Sequence, residues 1–371
     1  MNKKMFSLCY IACLALYLGI IAVIILSHGG RAKTRDDEVP QNVSAPLLYA
    51  ESVGEKPHIS AKSAALIDAK SGAVLFEKDS SAHLPMASTT KIMTAYVILT
   101  NMDIDEVVKV PKEATLVEGS SIYLRDGEEI KVETLLYGLM LESGNDAAVA
   151  LAVACSGSVD EFAALMNRTA HEMGMCDTVF ANPHGLSAEN HYTTAYELAY
   201  ITSKAMQIDK FREIVSTQKM LVPSLDGSST RLFMNHNKLL KYYDGAVGVK
   251  TGFTKNAGRC LVSAAERNGD MFIAVTLNDG NDWSDHQSML DYAFNCYDTV
   301  SVAKKGEFSV YKNGERLSNA DDIYITVPKG LEPVFSYNAD ASEKTGVVRY
   351  CTGGAEIGKF YISREAAGSE E

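Results

Sequence analysis

Three short motifs, far apart but in a fixed order, constrain the fold of this chain more than any other feature of its sequence. They are Ser88-Thr89-Thr90-Lys91, Ser143-Gly144-Asn145 and Lys250-Thr251-Gly252. Acyl transfer through a serine ester needs a nucleophile, a base, a second proton carrier and an anion clamp, and together the motifs supply these parts. A fold that uses them has to bring separate elements to one site.

The segment that follows the first motif is predicted to be a buried helix. Residues 92–99 are apolar nearly all round, which is typical of a core helix rather than a surface helix. Ser88 is expected at its N-terminal turn, where serine is favoured, and helical spacing puts Lys91 on the same face. A buried lysine beside another cation has a lowered pKa and can act as a base. Ser88 is therefore the candidate nucleophile and Lys91 the candidate base.

The C-terminal region holds a second set of similar motifs. Ser309 and Lys312 have the first spacing, and Ser336-Tyr337-Asn338 and Lys344-Thr345-Gly346 resemble the other two motifs. The last two lie only a few residues apart, so separate elements could not present them. Ser309 and Lys312 lie in an alternating run that predicts a strand, where residues three apart point to opposite faces. This second set is therefore not expected to form a site.

Composition excludes several classes of function. The net charge of -12, without a basic patch, argues against nucleic acid as a partner. The seven cysteines show no C-x-x-C spacing, so no zinc site or disulfide framework is predicted. His184 and His191 lack a metal-binding motif and are interpreted as loop packing. We expect neither a metal nor a cofactor.

The N-terminus carries a targeting signal. Lys3 and Lys4 precede an apolar run from Met5 to Leu26. A secretory signal has an apolar core of about 7–15 residues, whereas a spanning helix needs about 20. Residues 1–27 are therefore predicted to be an uncleaved membrane anchor, with a cleaved signal as the alternative. Polar residues 28–57 are predicted to form a tether.

The rest of the chain is predicted to form two domains. In residues 58–299, hydrophobic strands flanked by helices indicate an α/β or α+β domain with one sheet. The second motif interrupts the helical pattern of 132–154, which predicts two helices joined by a loop that presents Ser143 and Asn145. Short alternating runs in 300–364 predict a small all-β domain. Residues 365–371 are predicted to be an acidic tail.

The complete pattern resembles the serine D-Ala-D-Ala carboxypeptidases, the low-molecular-mass penicillin-binding proteins of peptidase family S11. The signature S-x-x-K, S-D-N and K-T-G is shared by penicillin-binding proteins and class A β-lactamases, and this chain has Gly144 in place of the aspartate. The resemblance runs from about Ala64 to Thr299 and includes Met86 to Thr94, Gly119-Ser120-Ser121, Leu135 to Ala148, Asn182 to Leu186, Gly248 to Thr254 and Ala257 to Arg259. It implies a β-lactamase/transpeptidase-like catalytic domain, and the C-terminal region is similar, more weakly, to the family's second domain.

The resemblance implies three catalytic residues. Ser88 attacks the carbonyl of the penultimate D-Ala and is acylated. Lys91 takes its proton and later helps to activate the deacylating water. Ser143 relays a proton to the leaving amine, assisted by Lys250.

The resemblance also implies a substrate-binding set. Asn145 binds the peptide amide and helps to hold Lys91. Lys250 and Thr251, with Gly252, grip the terminal carboxylate, a role that also follows from the need of such a substrate for a cationic clamp. The backbone N–H of Phe253 joins that of the nucleophile in the oxyanion hole. Phe253 stands where some relatives carry histidine, and Arg259 is a weak candidate for a further carboxylate contact.

The implied function is removal of the terminal D-alanine from peptidoglycan stem pentapeptides, with β-lactams as acylating inhibitors. This chemistry implies the extracytoplasmic face of the bacterial membrane, or secretion if the signal is cleaved. A D,D-endopeptidase would use the same residues. A β-lactamase would need a dedicated glutamate, for which Glu197 and Glu189 lie in the right stretch but without a supporting motif. A non-catalytic module that binds wall peptides is the alternative from a different class.

Overall fold

A computed structural model describes residues 48–50, 53–307, 309–312, 315–319, 321–331, 334–337, 345–352 and 355–364. The predicted anchor (1–27), much of the predicted tether (28–57) and the predicted acidic tail (365–371) lie outside the described residues.

Strands form the framework of the described chain. In chain order they are β1 (Leu48–Tyr49), β2 (Ser63–Asp68), β3 (Ala73–Lys78), β4 (Val107–Lys109), β5 (Glu129–Lys131), β6 (Lys219–Pro223), β7 (Thr230–Met234), β8 (Ala246–Thr254), β9 (Gly258–Arg267), β10 (Asp270–Leu277), β11 (Tyr297–Ala303), β12 (Ser309–Lys312), β13 (Glu315–Ser318), β14 (Ile323–Pro328), β15 (Val334–Tyr337), β16 (Thr345–Thr352) and β17 (Ala355–Arg364).

Most of the helices lie in sequence between strands β3 and β8. They are α1 (Lys91–Asn101), α2 (Val132–Leu141), α3 (Asn145–Ser156), α4 (Val159–Glu172), α5 (Ala195–Ala205), α6 (Asp209–Ser216), α7 (Leu239–Tyr242) and α8 (Asp282–Cys296), with 3-10 turns at Ala87–Thr90 and Lys112–Leu116. Among the described helices, none alone is long and apolar enough to cross a membrane, and the only pair that reaches this together, α3 and α4, is bent by 81°.

One six-stranded sheet, in the order β1-β3-β2-β10-β9-β8, organises the catalytic region. Only the β1–β3 pair is parallel. The sheet is covered on both faces, because successive residues of β2 enter different hydrophobic clusters. Ala65 and Ile67 pack with helices α1 to α5, whereas Ala64 and Leu66 pack with α8. The predicted α/β or α+β domain is confirmed, but the expectation of a single sheet is not, because β4-β5 and β6-β7 form two further two-stranded sheets.

The two helical segments predicted from the sequence are present, but the turn that carries Ser88 differs from the prediction. The helical pattern 132–154 is broken as predicted, into α2 and α3. Helix α1 is buried on nearly every side, also as predicted. Ser88, however, does not lie in its first α-helical turn. It lies in the 3-10 turn just before α1, and Ala87 enters that turn with a positive φ of 48°.

The described part of the C-terminal region contains strands and no helix, as the prediction of an all-β region requires. Strands β11 and β14 form a pair, and β12-β13-β17-β16-β15 form a second, wholly antiparallel sheet. Ser309 and Lys312 both lie on β12, so their predicted strand is confirmed. A buried carboxylate joins this region to the main sheet, since Asp68 accepts hydrogen bonds from the hydroxyls of Thr299 (2.6 Å) and Thr326 (2.8 Å).

Candidate active site

The three motifs meet beside β8, the strand at one edge of the main sheet. Lys91 Nζ lies 3.1 Å from Ser88 Oγ and donates to Asn145 Oδ1 at 2.7 Å, which joins the first motif to the second. The third motif lies on β8, against the 3-10 turn that carries Ser88. A Cβ atom added at Gly252 would lie 3.0 Å from the Ser88 backbone nitrogen, a contact so tight that the backbone around Ser88 would have to shift to admit it.

Lys91 has the surroundings of a base. It is completely buried, and its Nζ also donates to the carbonyl oxygen of His184 at 2.6 Å. Burial, reinforced by the charge of Lys250, holds the pKa of Lys91 well below its ordinary value, although Asp146 opposes this. A neutral lysine has two N–H donors, and the oxygens of Asn145 and His184 engage both. Its lone pair is then left for the Ser88 hydroxyl proton.

A tight turn at 182–186 supplies the carbonyl that holds Lys91. Asn182 Oδ1 accepts the N–H of Gly185 at 2.7 Å. Gly185 has a φ of +90°, and a Cβ atom there would lie 1.9 Å from the Ala87 carbonyl oxygen. The turn therefore packs directly on the backbone that precedes the nucleophile. The sequence pattern included this segment in the resemblance but gave no sign that a backbone oxygen of His184 faces the site.

The two histidine side chains near this turn serve the loops. His184 Nδ1 accepts the N–H of Leu186, and His191 bridges Thr90 Oγ1 and the N–H of Ala181. Burial lowers the pKa of His184 to about 3 and that of His191 to about 4, so both are neutral at neutral pH. Within the described residues, no group of three or more His, Cys, Asp or Glu side chains is arranged to hold a metal ion.

Asn145 begins α3 and is held from several directions. Its Nδ2 donates to the carbonyl of Glu118, and its backbone N–H donates to that of Ser120, both at 2.7 Å. The next residue, Asp146, is buried and accepts from Ser121 Oγ and from the N–H groups of Ile122 and Leu124. The segment 118–124 and the start of α3 therefore form one rigid unit beside Lys91.

Ser143 lies in the turn between α2 and α3. It is buried and adopts a positive φ of 61°, which is uncommon for residues other than glycine and recurs at functional sites. The preceding residue, Glu142, was missed by the sequence analysis. Its Oε1 accepts the backbone N–H of Met234 at 2.6 Å, and its Oε2 lies 3.5 Å from His236 Nε2.

Lys250 is the second buried cation of the site. It is 1% exposed, and its Nζ donates to the carbonyl of Thr251 at 2.9 Å. Burial lowers the pKa of Lys250 to about 7, against the opposing charge of Glu142. Lys91 and Lys250 are thus two neighbouring buried amines, and one negative charge acts on each of them.

Strand β8 is the last strand in the order of the sheet, so no strand among the described residues pairs with its outer edge. An extended peptide can add to such an edge through main-chain hydrogen bonds. Thr251 is half-buried on this strand, and Phe253, beyond the motif, is 66% exposed. The edge beside Lys250 is therefore open to a peptide that ends in a carboxylate.

Three other residues were candidates for a carboxylate contact or a deacylating base. Two of them are engaged in hydrogen bonds with other groups, and the third is exposed to solvent. The Arg259 guanidinium faces Asp282, which accepts from both Nε and Nη2. Glu197 is buried and accepts from Thr178 Oγ1 and the N–H of Asp177. Glu189 is exposed. The structure therefore gives no support to Glu197 as a base for deacylating water.

Comparisons with known proteins point in one direction. The family model for D-alanyl-D-alanine carboxypeptidase, Peptidase_S11, matches residues 50–281. The chain is 32% identical over 339 residues to the D-alanyl-D-alanine carboxypeptidase DacF of Bacillus subtilis, covering 86% of this chain and 87% of that protein.

Solved structures give the same result for the fold. Penicillin-binding protein 5 of Haemophilus influenzae superposes with a TM-score of 0.72 and 26% identity over 84% of this chain and 98% of that one. The DD-transpeptidase of Streptomyces K15 superposes with a TM-score of 0.62 and 34% identity over 65% of this chain and 99% of that one. The fold is therefore that of the DD-peptidases.

Proposed function

We propose a reaction cycle for this chain from the premise that it belongs to the D-alanyl-D-alanine carboxypeptidase family. It is a serine hydrolase that removes the terminal D-alanine from peptidoglycan stem peptides and is acylated by β-lactams. The observation that carries the proposed cycle is the environment of Lys91, a buried amine that touches the Ser88 hydroxyl while two oxygens engage its other donors.

Acylation begins with the transfer of the Ser88 Oγ proton to Lys91 Nζ as the oxygen attacks the carbonyl carbon of the penultimate D-Ala. The N–H groups of Ser88 and Phe253 stabilise the resulting oxyanion. The C–N bond then breaks, and the proton that Lys91 took from Ser88 passes by way of the Ser143 hydroxyl to the departing amine, which returns Lys91 to its neutral form. D-Alanine leaves, and the trimmed peptide remains as an ester on Ser88.

Substrate binding uses the open edge of β8. The peptide lies extended along this strand, and its terminal carboxylate meets Lys250 and the Thr251 hydroxyl. Asn145 binds a peptide amide while it holds Lys91. A charge-assisted hydrogen bond to a buried ammonium group is strong, which selects substrates with a free carboxyl terminus.

Deacylation uses the same base again. Lys91 activates a water that attacks the ester, and Ser88 recovers its proton. A β-lactam follows the first half of this cycle, but its leaving group stays tethered, and Glu197 is not positioned to speed hydrolysis. Ser88 is therefore trapped for longer than in a β-lactamase.

The endopeptidase and non-catalytic alternatives are not favoured, because both the family and the matched relatives are D-alanyl-D-alanine carboxypeptidases. Release of D-alanine from a synthetic stem pentapeptide tests the function directly. We expect turnover with wild-type protein and none with Ser88→Ala. Binding of the pentapeptide without D-alanine release by a folded wild-type protein would instead support the non-catalytic module.

The proposal extends to the location of the enzyme. The length of the apolar run Met5 to Leu26 supports an anchor that places the catalytic domain at the extracytoplasmic face, where the wall substrate lies. The protein should then remain at full length in washed membranes. A shortened form in the culture medium would indicate a cleaved signal instead.

A further inference from the structure

Tyr123 is an exposed aromatic residue with an uncommon backbone conformation. It is 84% exposed, and its φ of +58° lies in the left-handed region, which bulky residues rarely adopt. The residues on either side of it, Ile122 and Leu124, are buried in the core. The loop therefore turns the tyrosine ring outward between two side chains that anchor the loop.

A buried carboxylate helps to impose this conformation. Ser121 Oγ accepts the N–H of Tyr123 at 2.8 Å, and Asp146 accepts the Ser121 hydroxyl and the N–H groups on both sides of Tyr123. Asp146 directly follows Asn145, whose amide oxygen holds Lys91. One carboxylate therefore fixes both the exposed tyrosine and a residue of the active site. Strained backbone that its surroundings enforce in this way clusters at functional sites.

Tyr123 lines a cavity of about 750 Å³. One side of the cavity consists of residues from the 122–129 loop, and the other side consists of residues 224–231 at the tip of the β6–β7 hairpin. Leu225, on the hairpin side, is 53% exposed. The volume is typical of ligand sites. Single exposed apolar side chains are ordinary, but two that line one cavity beside an active site indicate a surface for an apolar group.

An ion pair ties the two sides of the cavity together. Arg231 Nη1 and Nη2 donate to the two oxygens of Glu128 at 2.6 and 2.8 Å, and Arg231 Nε donates to the carbonyl of Ile122 at 3.3 Å. This pairing leaves neither charge free for a ligand, and it keeps the sides at a fixed separation. The other charged side chains that line the cavity are exposed, so water screens them. Contact with apolar groups therefore decides what the cavity binds.

The course of the substrate brings one of its side chains to this cavity. In the proposed cycle, Lys250 binds the terminal carboxylate and Asn145 binds an amide of the acyl part. Asn145 itself donates to two carbonyls of the 118–124 segment. A peptide that continues past Asn145 therefore meets this segment, and the residue that precedes D-Ala-D-Ala is the first whose side chain can extend from there toward Tyr123.

We propose that Tyr123 and Leu225 form a subsite for the side chain of the residue that precedes D-Ala-D-Ala, and that this subsite favours a long aliphatic chain over a methyl group. The tyrosine ring and the leucine side chain would remove methylene groups of such a chain from water, which favours binding. The inference rests on the proposed function and names the class of peptide that the enzyme prefers.

The test compares two peptides with the same D-Ala-D-Ala end, Nα,Nε-diacetyl-L-Lys-D-Ala-D-Ala and Nα-acetyl-L-Ala-D-Ala-D-Ala. Acetylation removes the charge of the lysine amine, so the comparison reports on the aliphatic chain. For wild-type protein, kcat/KM for D-alanine release should be about tenfold or more higher with the lysine peptide. In Tyr123→Ala this ratio should fall to roughly one-third or less of the wild-type ratio, chiefly through a higher KM for the lysine peptide.

Three further variants separate the subsite from the loop that carries it. Leu225→Ala should lower the ratio in the same direction from the other side of the cavity, with no change at the strained position. Tyr123→Phe keeps the ring and should keep the wild-type ratio. Tyr242→Ala is the matched control, since Tyr242 is 51% exposed on α7 and does not line the cavity. It should leave the rates with both peptides unchanged.

A wild-type protein that releases D-alanine equally well from both peptides would overturn the inference and leave the proposed function intact. The inference also fails if Tyr123→Ala loses the same factor with both peptides, because the tyrosine would then only support the loop that holds Asn145. A ratio that stays at the wild-type value in both Tyr123→Ala and Leu225→Ala has the same consequence. If wild-type protein releases D-alanine from neither peptide, the proposed function fails, and the inference fails with it.

Discussion

Among single residues, Lys91 matters most, because its protonation state decides whether it can accept the Ser88 proton. Some of the groups around Lys91 can be predicted from the sequence, and others cannot. Contact of Lys91 with Ser88 follows from helical spacing, because residues three apart share a face. The carbonyl of His184 could not be predicted in this way, since every residue type carries a backbone oxygen. The carboxylate of Glu142 was equally hidden, because the contact it makes depends on how β7 ends.

A pH profile of acylation tests the state of Lys91. A base works only when it is deprotonated, and a lowered pKa means that deprotonation is complete at a lower pH. Acylation of Ser88 by a penicillin should therefore already be fast at neutral pH, far below the usual lysine pKa of about 10.4. Stopped-flow or gel-based labelling across pH measures this rate.

The matched variants for this profile are Lys91→Arg and Lys210→Arg. Arginine keeps the charge but does not lose its proton in proteins, so Lys91→Arg should reduce acylation by about 10²-fold or more at every pH. Lys210 lies on the surface in ion pairs with Glu133 and Glu213, and its replacement should have no effect. Acylation by Lys91→Arg at the wild-type rate would show that another group is the base.

At the scale of elements, the site is held together by close backbone packing between the 182–186 turn and the 3-10 turn before α1. The sequence predicts the helices and strands well here, because their hydrophobic periods are regular. It does not predict the 3-10 turn. The positive φ of Ala87 and the close approach of Gly185 set that turn, and neither leaves a periodic signal. The presence of a 3-10 turn instead of an α-helical turn matters, because this turn fixes the position of the Ser88 hydroxyl relative to Lys91.

Gly185→Ala tests this packing. The new methyl group would lie 1.9 Å from the Ala87 carbonyl oxygen, at a φ of +90° that alanine adopts poorly. Backbone strain and overpacking together should reduce the free energy of unfolding by about 2–5 kcal/mol. Acylation should also slow, because the His184 carbonyl moves away from Lys91. Urea unfolding and penicillin labelling measure the two effects.

Gly269→Ala is the control for the strain alone. Gly269 has a φ of +91°, and an added Cβ atom there meets no atom within 4 Å. It should destabilise the protein less than Gly185→Ala and leave acylation unchanged. Equal destabilisation by the two variants would show that the close approach to Ala87 is not important.

At the scale of the whole molecule, the main sheet explains why motifs so far apart in sequence share one site. Strands from the start and the end of the catalytic region pair side by side, with β2 next to β10, and this places β8 at an edge beside the nucleophile. The sequence predicts one sheet and a separate β-rich region. The strand order could not be read from it, because hydrophobic patterning identifies strands but not their partners. The hydroxyl contacts of Asp68 with the β11–β14 pair were hidden for the same reason.

Whether Ser88 is the acylated nucleophile can be decided by labelling the full-length protein, in detergent, with a fluorescent penicillin and mapping the adduct by mass spectrometry. We expect a stable penicilloyl ester on Ser88 and none in a Ser88→Ala variant that unfolds at the same temperature as wild type. A folded wild-type protein that gives no adduct, or an adduct on another residue, would contradict this expectation.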